Sequence, residues 1–109
     1  MRKYLLPESG NFYKANLHSH SNLSDGRLSP AEMKELYKKN GYSVLAYTDH
    51  DILIPHNDLT DDEFVALVGF EASINQEDAP AGVWEKRCHL CFIAKTPDMD
   101  IQPCWNPKY

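Results

Sequence analysis

The stretch Leu28–Asp51, "LSPAEMKELYKKNGYSVLAYTDHD", contains the local signals that decide the fold of this 109-residue chain. Its opening, Ser29–Glu32, predicts a helix start, because serine caps the first turn, proline suits the first helical position and glutamate completes a capping box. Gly41 marks the end of that helix. The apolar run Tyr42–Thr48 then predicts a strand that is buried on both faces, as in a parallel sheet.

Three other segments predict strands on either side of this stretch, because each is an apolar run bounded by turn-forming residues. They are Phe12–His18 before it, and Phe64–Val68 and Arg87–Ala94 after it. Strand, helix and strand in succession favour a βα unit and a largely parallel sheet. No linker or repeat divides the chain, so residues 1–109 are predicted to form a single α/β domain.

Composition and charge exclude several classes of protein. The chain is 42% hydrophobic and 25% charged, as in ordinary globular domains, which argues against disorder. Its net charge of −5 comes without a basic cluster, so no nucleic acid is expected as a partner other than as a nucleotide substrate. No apolar run approaches the ~20 residues that cross a bilayer, so no membrane partner is expected. Three cysteines, an odd number, suit a reducing compartment and predict a cytoplasmic location.

Side chains that can bind metal ions fall at or near the ends of the predicted strands. His18 and His20 end the first strand, His50 follows the second, Glu71 ends the third, and His89 lies in the fourth. Because the C-terminal ends of parallel strands share one rim, we expect these side chains to converge there. Imidazole and carboxylate groups suit Zn, Mn or Fe. The sequence therefore predicts a divalent metal site at this rim.

Three short motifs, in this order and spacing, resemble the opening of the PHP (polymerase and histidinol phosphatase) family of metal-dependent phosphoesterases. They are "LHSHSNLSDG" at 17–26, "YTDHD" at 47–51 and "GFE" at 69–71. The resemblance extends from about Phe12 to about Phe92. It implies a set of metal ligands in which Glu71 is the bridging carboxylate: His18, His20, Asp25, His50, Glu71 and His89.

The resemblance also implies an architecture and a cofactor. Family members have a distorted (β/α)7 TIM-like barrel of parallel strands and hold two or three divalent ions (Zn, Mn or Fe). A (β/α) barrel has ~200 or more residues, so this chain is expected to be the N-terminal part of the barrel without its C-terminal part. Alternatively, it is a natural short form in which another subunit, as in a homo-oligomer, completes the barrel and the site.

The predicted function is hydrolysis of a small phosphorylated substrate by metal-activated water. A bound divalent ion lowers the pKa of its water from about 15.7 towards about 7, which generates hydroxide at neutral pH. The resemblance assigns catalytic roles to Glu71 and His50. Asp49 and Asp51 are expected to orient the ring N–H groups of the ligand histidines.

Two alternative functions share parts of this pattern. An amidohydrolase would begin with the same His-x-His pair and cleave a C–N bond, although "SDG" and "TDHD" favour the phosphoesterase. A non-catalytic metal-binding or assembly module would keep the ligands and bind metal without turnover. An activity panel of phosphate esters and amides separates these three functions.

Other conspicuous residues have simpler interpretations. His56 stands apart from the motifs and is predicted to be an ordinary surface or core residue. Cys88 and Cys91 are spaced like half of a zinc knuckle, but in a strand their side chains would point to opposite faces. They are therefore predicted to be small buried hydrophobic residues. Arg27 and Lys14 are candidate phosphate contacts on the basis of their charge.

Overall fold

The computed structural model describes residues 8–75, 78, 80–83 and 86–103, so that the third cysteine, Cys104, lies outside the described residues. Within those ranges the chain forms four strands, one α-helix and one short 3-10 helix. In chain order these are β1 (Ala15–Asn16), α1 (Pro30–Lys39), β2 (Val44–Tyr47), the 3-10 helix (Asn57–Leu59), β3 (Val65–Asn75) and β4 (Arg87–Ile93).

The four strands form a mixed sheet in the order β1–β2–β3–β4. The first three are parallel, whereas β4 pairs with β3 in the antiparallel sense. The prediction of a partial (β/α)7 TIM-like barrel with parallel strands is therefore wrong, because the described residues contain this one mixed sheet and a single α-helix. The connection between β3 and β4, 76–86, is shorter than the dozen or more residues that a parallel crossover needs.

The predicted helix and its capping box are confirmed in α1. Ser29 Oγ accepts a hydrogen bond from the Glu32 amide at 3.3 Å, and the Glu32 carboxylate accepts one from the Ser29 amide at 2.8 Å. Pro30 occupies the first turn, where its missing N–H is not needed. Gly41 follows the helix with a φ of +78°, a left-handed conformation that glycine adopts without strain.

Most of the core lies on one face of the sheet and is formed by alternate residues of β2 and β3, while Ala46 is buried on the other face. β2 is buried as predicted, with Leu45, Ala46 and Tyr47 at most 1% exposed. Two apolar clusters cover the same face of β2 and β3, because the strands are in register at Leu45–Ala66 and Tyr47–Val68. The cluster beside α1 contains Met33, Leu45, Tyr47, Phe64 and Ala66, and the second contains Leu53, Val68 and Phe70.

All four predicted strands differ in length from those of the structure, the first and the third most of all. The predicted strand Phe12–His18 reduces to the two residues of β1, and Phe12 before it is 72% exposed. β3 continues to Asn75, because β4 pairs with it along 69–75. Glu71 therefore lies inside a long strand. The prediction that it ends a strand is wrong. Over the residues that the structure describes, no helix is long and apolar enough to span a lipid bilayer.

Candidate metal centre

His18 and His20 follow β1 in an irregular segment that is tied to the end of β2. Ser19, which lies between them, is buried and accepts a hydrogen bond from the Thr48 amide at 2.8 Å. Its hydroxyl donates to the Ala46 carbonyl at 2.7 Å. Because neighbouring side chains of an extended segment alternate in direction, the buried serine leaves both histidines on the other side.

The turn that carries Asp25 is held by a buried carboxylate. Asp49, which is 2% exposed, accepts hydrogen bonds from the Ser21 amide at 2.8 Å, the Ser21 hydroxyl at 2.8 Å and the Ser24 hydroxyl at 2.6 Å. Gly26 closes the turn, and a Cβ atom there would overlap the backbone carbonyl of His20. Asp49 therefore holds the turn that carries Asp25 and does not orient a histidine ring, which corrects the role predicted for it.

His50 is placed by backbone pairing between the end of β2 and β3. The Glu71 amide donates to the Asp49 carbonyl at 3.1 Å, and the Asp51 amide donates to the Glu71 carbonyl at 2.9 Å. Asp51, in a left-handed conformation, accepts a hydrogen bond from the Ser73 amide at 2.8 Å, so it too does not orient a ring directly. The Ser73 hydroxyl lies 3.1 Å from His50 Nδ1. These contacts place His50 beside the Glu71 side chain.

The carboxylate of Glu71 is the centre of the site. Its side chain is 5% exposed, and four imidazole nitrogens lie within 3.5 Å of its oxygens. Oε2 is 3.2 Å from His18 Nε2, 3.0 Å from His20 Nε2 and 3.5 Å from His50 Nδ1, while Oε1 is 3.2 Å from His89 Nδ1. Since a buried charge needs a compensating partner, this carboxylate fits a site that binds cations.

Asp25 completes the set from the exposed side. Its two carboxylate oxygens lie 3.0 Å from His20 Nδ1 and 3.5 Å from His50 Nε2. The structure thus brings together all six predicted ligands, although their role as ligands stays a prediction. One of them, His89, arrives on the antiparallel strand β4 and not at the common rim of parallel strands.

The spacing of the donor atoms fits a metal ion. His18 Nε2 lies 3.2 Å and His20 Nε2 lies 3.0 Å from Glu71 Oε2, so each histidine can share an ion with that carboxylate. Two ligands that are each about 2.0–2.1 Å from one tetrahedral zinc ion lie about 3.3 Å apart, close to these separations. Moreover, His20 Nδ1 is buried, and its close contact with Asp25 lacks the alignment of a hydrogen bond. A divalent cation would satisfy these converging donor atoms.

Cys91 belongs to the same cluster, and the sequence analysis missed it. Its Sγ, a ring nitrogen of His18 and an oxygen of Glu71 all lie within 4.8 Å of one another, and a second group contains His20, His50 and Glu71. Both Cys88 and Cys91 are exposed, so the prediction that they are buried is wrong. The alternation of side chains along a strand could have revealed Cys91, because it lies two residues after His89. Partial desolvation, followed by the charge of Glu71, raises the pKa of the Cys91 thiol.

Lys14 lies away from the cluster. Its ammonium group donates to the Asn40 carbonyl at 3.0 Å and lies 4.2 Å from the centre of the Tyr42 ring. These contacts place it beyond the C-terminal end of α1, at the opposite end of the strands from the histidines. The structure therefore gives no support to Lys14 as a phosphate contact, whereas Arg27 is exposed on the segment after Asp25.

Comparison of the chain with protein-family models, with curated proteins and with solved structures gave no significant match. The likeness of its motifs to the PHP family therefore stays a resemblance. The chemical interpretation of the site depends on its own geometry.

His56 is separate from the metal cluster. It is buried, its ring centre lies 4.8 Å from that of Tyr47, and its Nε2 atom has no hydrogen-bond partner among the residues that the structure describes. Burial lowers the pKa of His56 below its ordinary value of 6.5, while the charges of Asp49 and Asp58 oppose that shift. The prediction that it is an ordinary core or surface residue agrees with this position.

We expect His56 to make the protein less stable in mild acid. Because its pKa is lower in the folded state, the unfolded state binds more protons once the pH falls below about 6.5, so the free energy of unfolding decreases. The measurement is urea denaturation between about pH 7 and about pH 5 for the wild type and for His56→Gln, which does not titrate there. The wild type should lose more stability than the variant over this interval. Parallel pH curves for the two proteins would contradict the expectation.

Proposed function

We propose that this protein is a metal-dependent phosphoesterase that hydrolyses a small phosphate ester at the cluster around Glu71. The observation that carries the proposal is the carboxylate of Glu71, which is 5% exposed and lies among four imidazole rings. Within the described part of the chain, it belongs to both groups of side chains that could hold a metal ion, so it suits a bridging position between two ions. The resemblance of the surrounding motifs to the PHP family supports the same chemistry.

The protein's own residues supply the ligands and their orientation. His20, His50 and Glu71 would hold one ion, and His18 with Glu71 would contribute to the second. Asp25 lies against both His20 and His50, so its carboxylate restricts the orientation of the two rings. When bound, divalent ions supply Lewis acidity, which acidifies water and stabilises negative charge at the reacting phosphate.

The exposed side of the cluster suits a small anionic substrate. The side chains of His18, Asp25 and His89 are 51%, 67% and 41% exposed, whereas Glu71 beneath them is buried. The chain as a whole carries a net charge of −5, which repels a phosphate group. Cations held at this site would supply attraction for a phosphate ester, since bound ions dominate the local field.

An activity panel tests the proposal. The full chain is stripped of metal, reloaded with Zn, Mn or Fe, and assayed with aryl phosphates, nucleoside monophosphates and aryl amides. We expect phosphate release that requires added metal, stops with a chelator and is lost in His20→Ala. Lys14→Ala, which lies outside the cluster, serves as the matched control and should retain activity.

The same panel separates the alternative functions. Cleavage of amides without phosphate release would favour the amidohydrolase. Stoichiometric metal binding without turnover of any substrate would favour a non-catalytic metal-binding or assembly module. Activity in His20→Ala equal to that of the wild type would contradict the assignment of the site.

A further inference from the structure

We propose that Cys91 is a metal ligand, and that its thiolate makes one position of the centre selective for zinc over manganese. The inference rests on the metal centre of the proposed function and deepens it, because it names the ion that this position prefers. It assigns a sulfur donor to a set that the motif pattern limits to histidines and carboxylates.

The register of the antiparallel pair places Cys91 at the site. In the β3–β4 ladder Cys91 is directly opposite Glu71, and His89 is directly opposite Ser73. Directly opposed residues of an antiparallel pair have Cβ atoms about 4.5–5.5 Å apart and point to the same face. Cys91 and His89 are two residues apart in β4, so both side chains face the metal cluster. Cys88 points to the opposite face.

The neighbours of Cys91 are metal-binding groups. Its sulfur, a ring nitrogen of His18 and a carboxylate oxygen of Glu71 lie within 4.8 Å of one another. The Glu71 side chain is 5% exposed, and its carboxylate oxygen Oε2 lies 3.2 Å from His18 Nε2 within this group. Three donors of different chemistry from three separate segments therefore converge on one small volume.

Packing does not explain this cysteine. Free cysteines that act as small apolar residues are among the most deeply buried side chains in proteins, whereas Cys91 is exposed. Apolar side chains of this hairpin pack on its opposite face, where the Phe70 and Phe92 rings stack with centres 4.9 Å apart. Cys91 lies on the polar face, where a role as a donor accounts for it.

Charge balance also favours a thiolate. Two divalent ions bring four positive charges, and the carboxylates of Asp25 and Glu71 offset two of them. A Cys91 thiolate would offset a third, which lowers the repulsion between the two ions. On coordination a sulfur–metal bond forms and the thiol proton leaves to solvent, because a coordinating thiol is deprotonated by the ion. Thiolate ligands favour zinc, whereas manganese prefers oxygen donors.

Cobalt spectroscopy on the full chain tests the proposal directly. Cobalt(II) replaces zinc in such sites, and a cobalt–thiolate bond produces a charge-transfer absorption in the near ultraviolet. We expect this band in the wild type and in Cys88→Ser, the matched control from the opposite face, and we expect its loss in Cys91→Ser. In Cys91→Ala, zinc affinity should fall at least about tenfold while manganese affinity stays within about twofold of the wild type.

A second measurement does not depend on the folding of a variant. Zinc should slow the reaction of Cys91 with iodoacetamide in the wild type by at least about tenfold, while Cys88 reacts at the same rate with and without zinc. Peptide mapping by mass spectrometry identifies which cysteine is modified. Equal reactivity of Cys91 with and without zinc, or a cobalt–thiolate band that persists in Cys91→Ser, would overturn the inference.

The outcomes for the ligand and for the proposed function are separable. A cobalt–thiolate band from Cys91 in a chain that hydrolyses no phosphate ester would support Cys91 as a metal ligand and contradict the proposed phosphoesterase activity. Metal-dependent hydrolysis of phosphate esters by a cobalt-loaded chain that shows no thiolate band would support the phosphoesterase activity and contradict the role of Cys91 as a metal ligand.

Discussion

Replacement of Glu71 with glutamine is expected to abolish stoichiometric binding of zinc and to reduce phosphate-ester hydrolysis at least about a thousandfold. The amide keeps the size of the side chain but loses the negative charge that lies among His18, His20, His50 and His89. A bound metal ion contributes several kcal/mol of transition-state stabilisation, and each 1.36 kcal/mol of that corresponds to about tenfold in rate. Metal analysis of the purified protein and steady-state kinetics measure the two effects.

The effect on stability gives an independent reading of the same variant. Zinc at about 100 times its Kd should raise the free energy of unfolding of the wild type by about 2.7 kcal/mol, because the ion binds the folded state. Glu71→Gln should show no such increase. Without metal it should be about as stable as the wild type, because the amide oxygen can still accept a hydrogen bond from a neighbouring imidazole and no buried charge has to be desolvated.

A matched control comes from the surface of the protein. Glu63 is exposed and lies 3.0 Å from Lys38 Nζ, away from the histidines. Glu63→Gln should therefore bind zinc with wild-type stoichiometry and show the full increase in stability. If Glu71→Gln binds zinc as the wild type does, the Glu71 carboxylate is not needed for zinc binding and the proposed site is wrong.

The second large effect is expected for Asp49→Ala, which should destabilise the protein by about 3–5 kcal/mol and also weaken metal binding. The carboxylate is buried and accepts three hydrogen bonds from Ser21 and Ser24. Its removal leaves those donors without their acceptor and releases the turn that carries Asp25. The loss of affinity then arises although Asp49 is not itself a predicted ligand.

Urea denaturation and zinc titration measure the two consequences of the Asp49 substitution. Asp62→Ala, on the exposed turn before β3, is the control and should change stability by less than about 0.5 kcal/mol. Asp49→Asn keeps one acceptor oxygen, so it should lose less stability than Asp49→Ala. An Asp49→Ala variant with normal zinc affinity would show that the turn holds its shape without the carboxylate.

Local signals in the sequence were sufficient to predict the helix and the buried strand that lie within residues 29–48. The capping box of Ser29 and Glu32 involves residues three apart, and Gly41 acts on the residues next to it. The burial of β2 follows from an uninterrupted apolar run. These predictions succeeded because each depends on interactions within one or two helical turns or on the hydrophobicity of one segment.

Contacts between distant segments decided the parts that the sequence analysis missed. The direction of β4 is a property of its pairing with β3, and the same seven residues would read as a strand in either direction. β1 is short because Phe12 and Tyr13 lie exposed outside the sheet, although their composition suits a strand. The parallel barrel was an inference from the family resemblance, which concerns motifs and not the pairing of this strand.

The sequence by itself determined which side chains are candidate ligands, because imidazole and carboxylate groups in "HSH", "SDG", "TDHD" and "GFE" have a chemistry that does not depend on the fold. Only the tertiary structure decided how they meet. The register of β3 against β4 places Cys91 opposite Glu71, and the buried Asp49 shapes the turn of Asp25. Strand register and buried hydrogen bonds join residues far apart in the chain, so no local pattern encodes them.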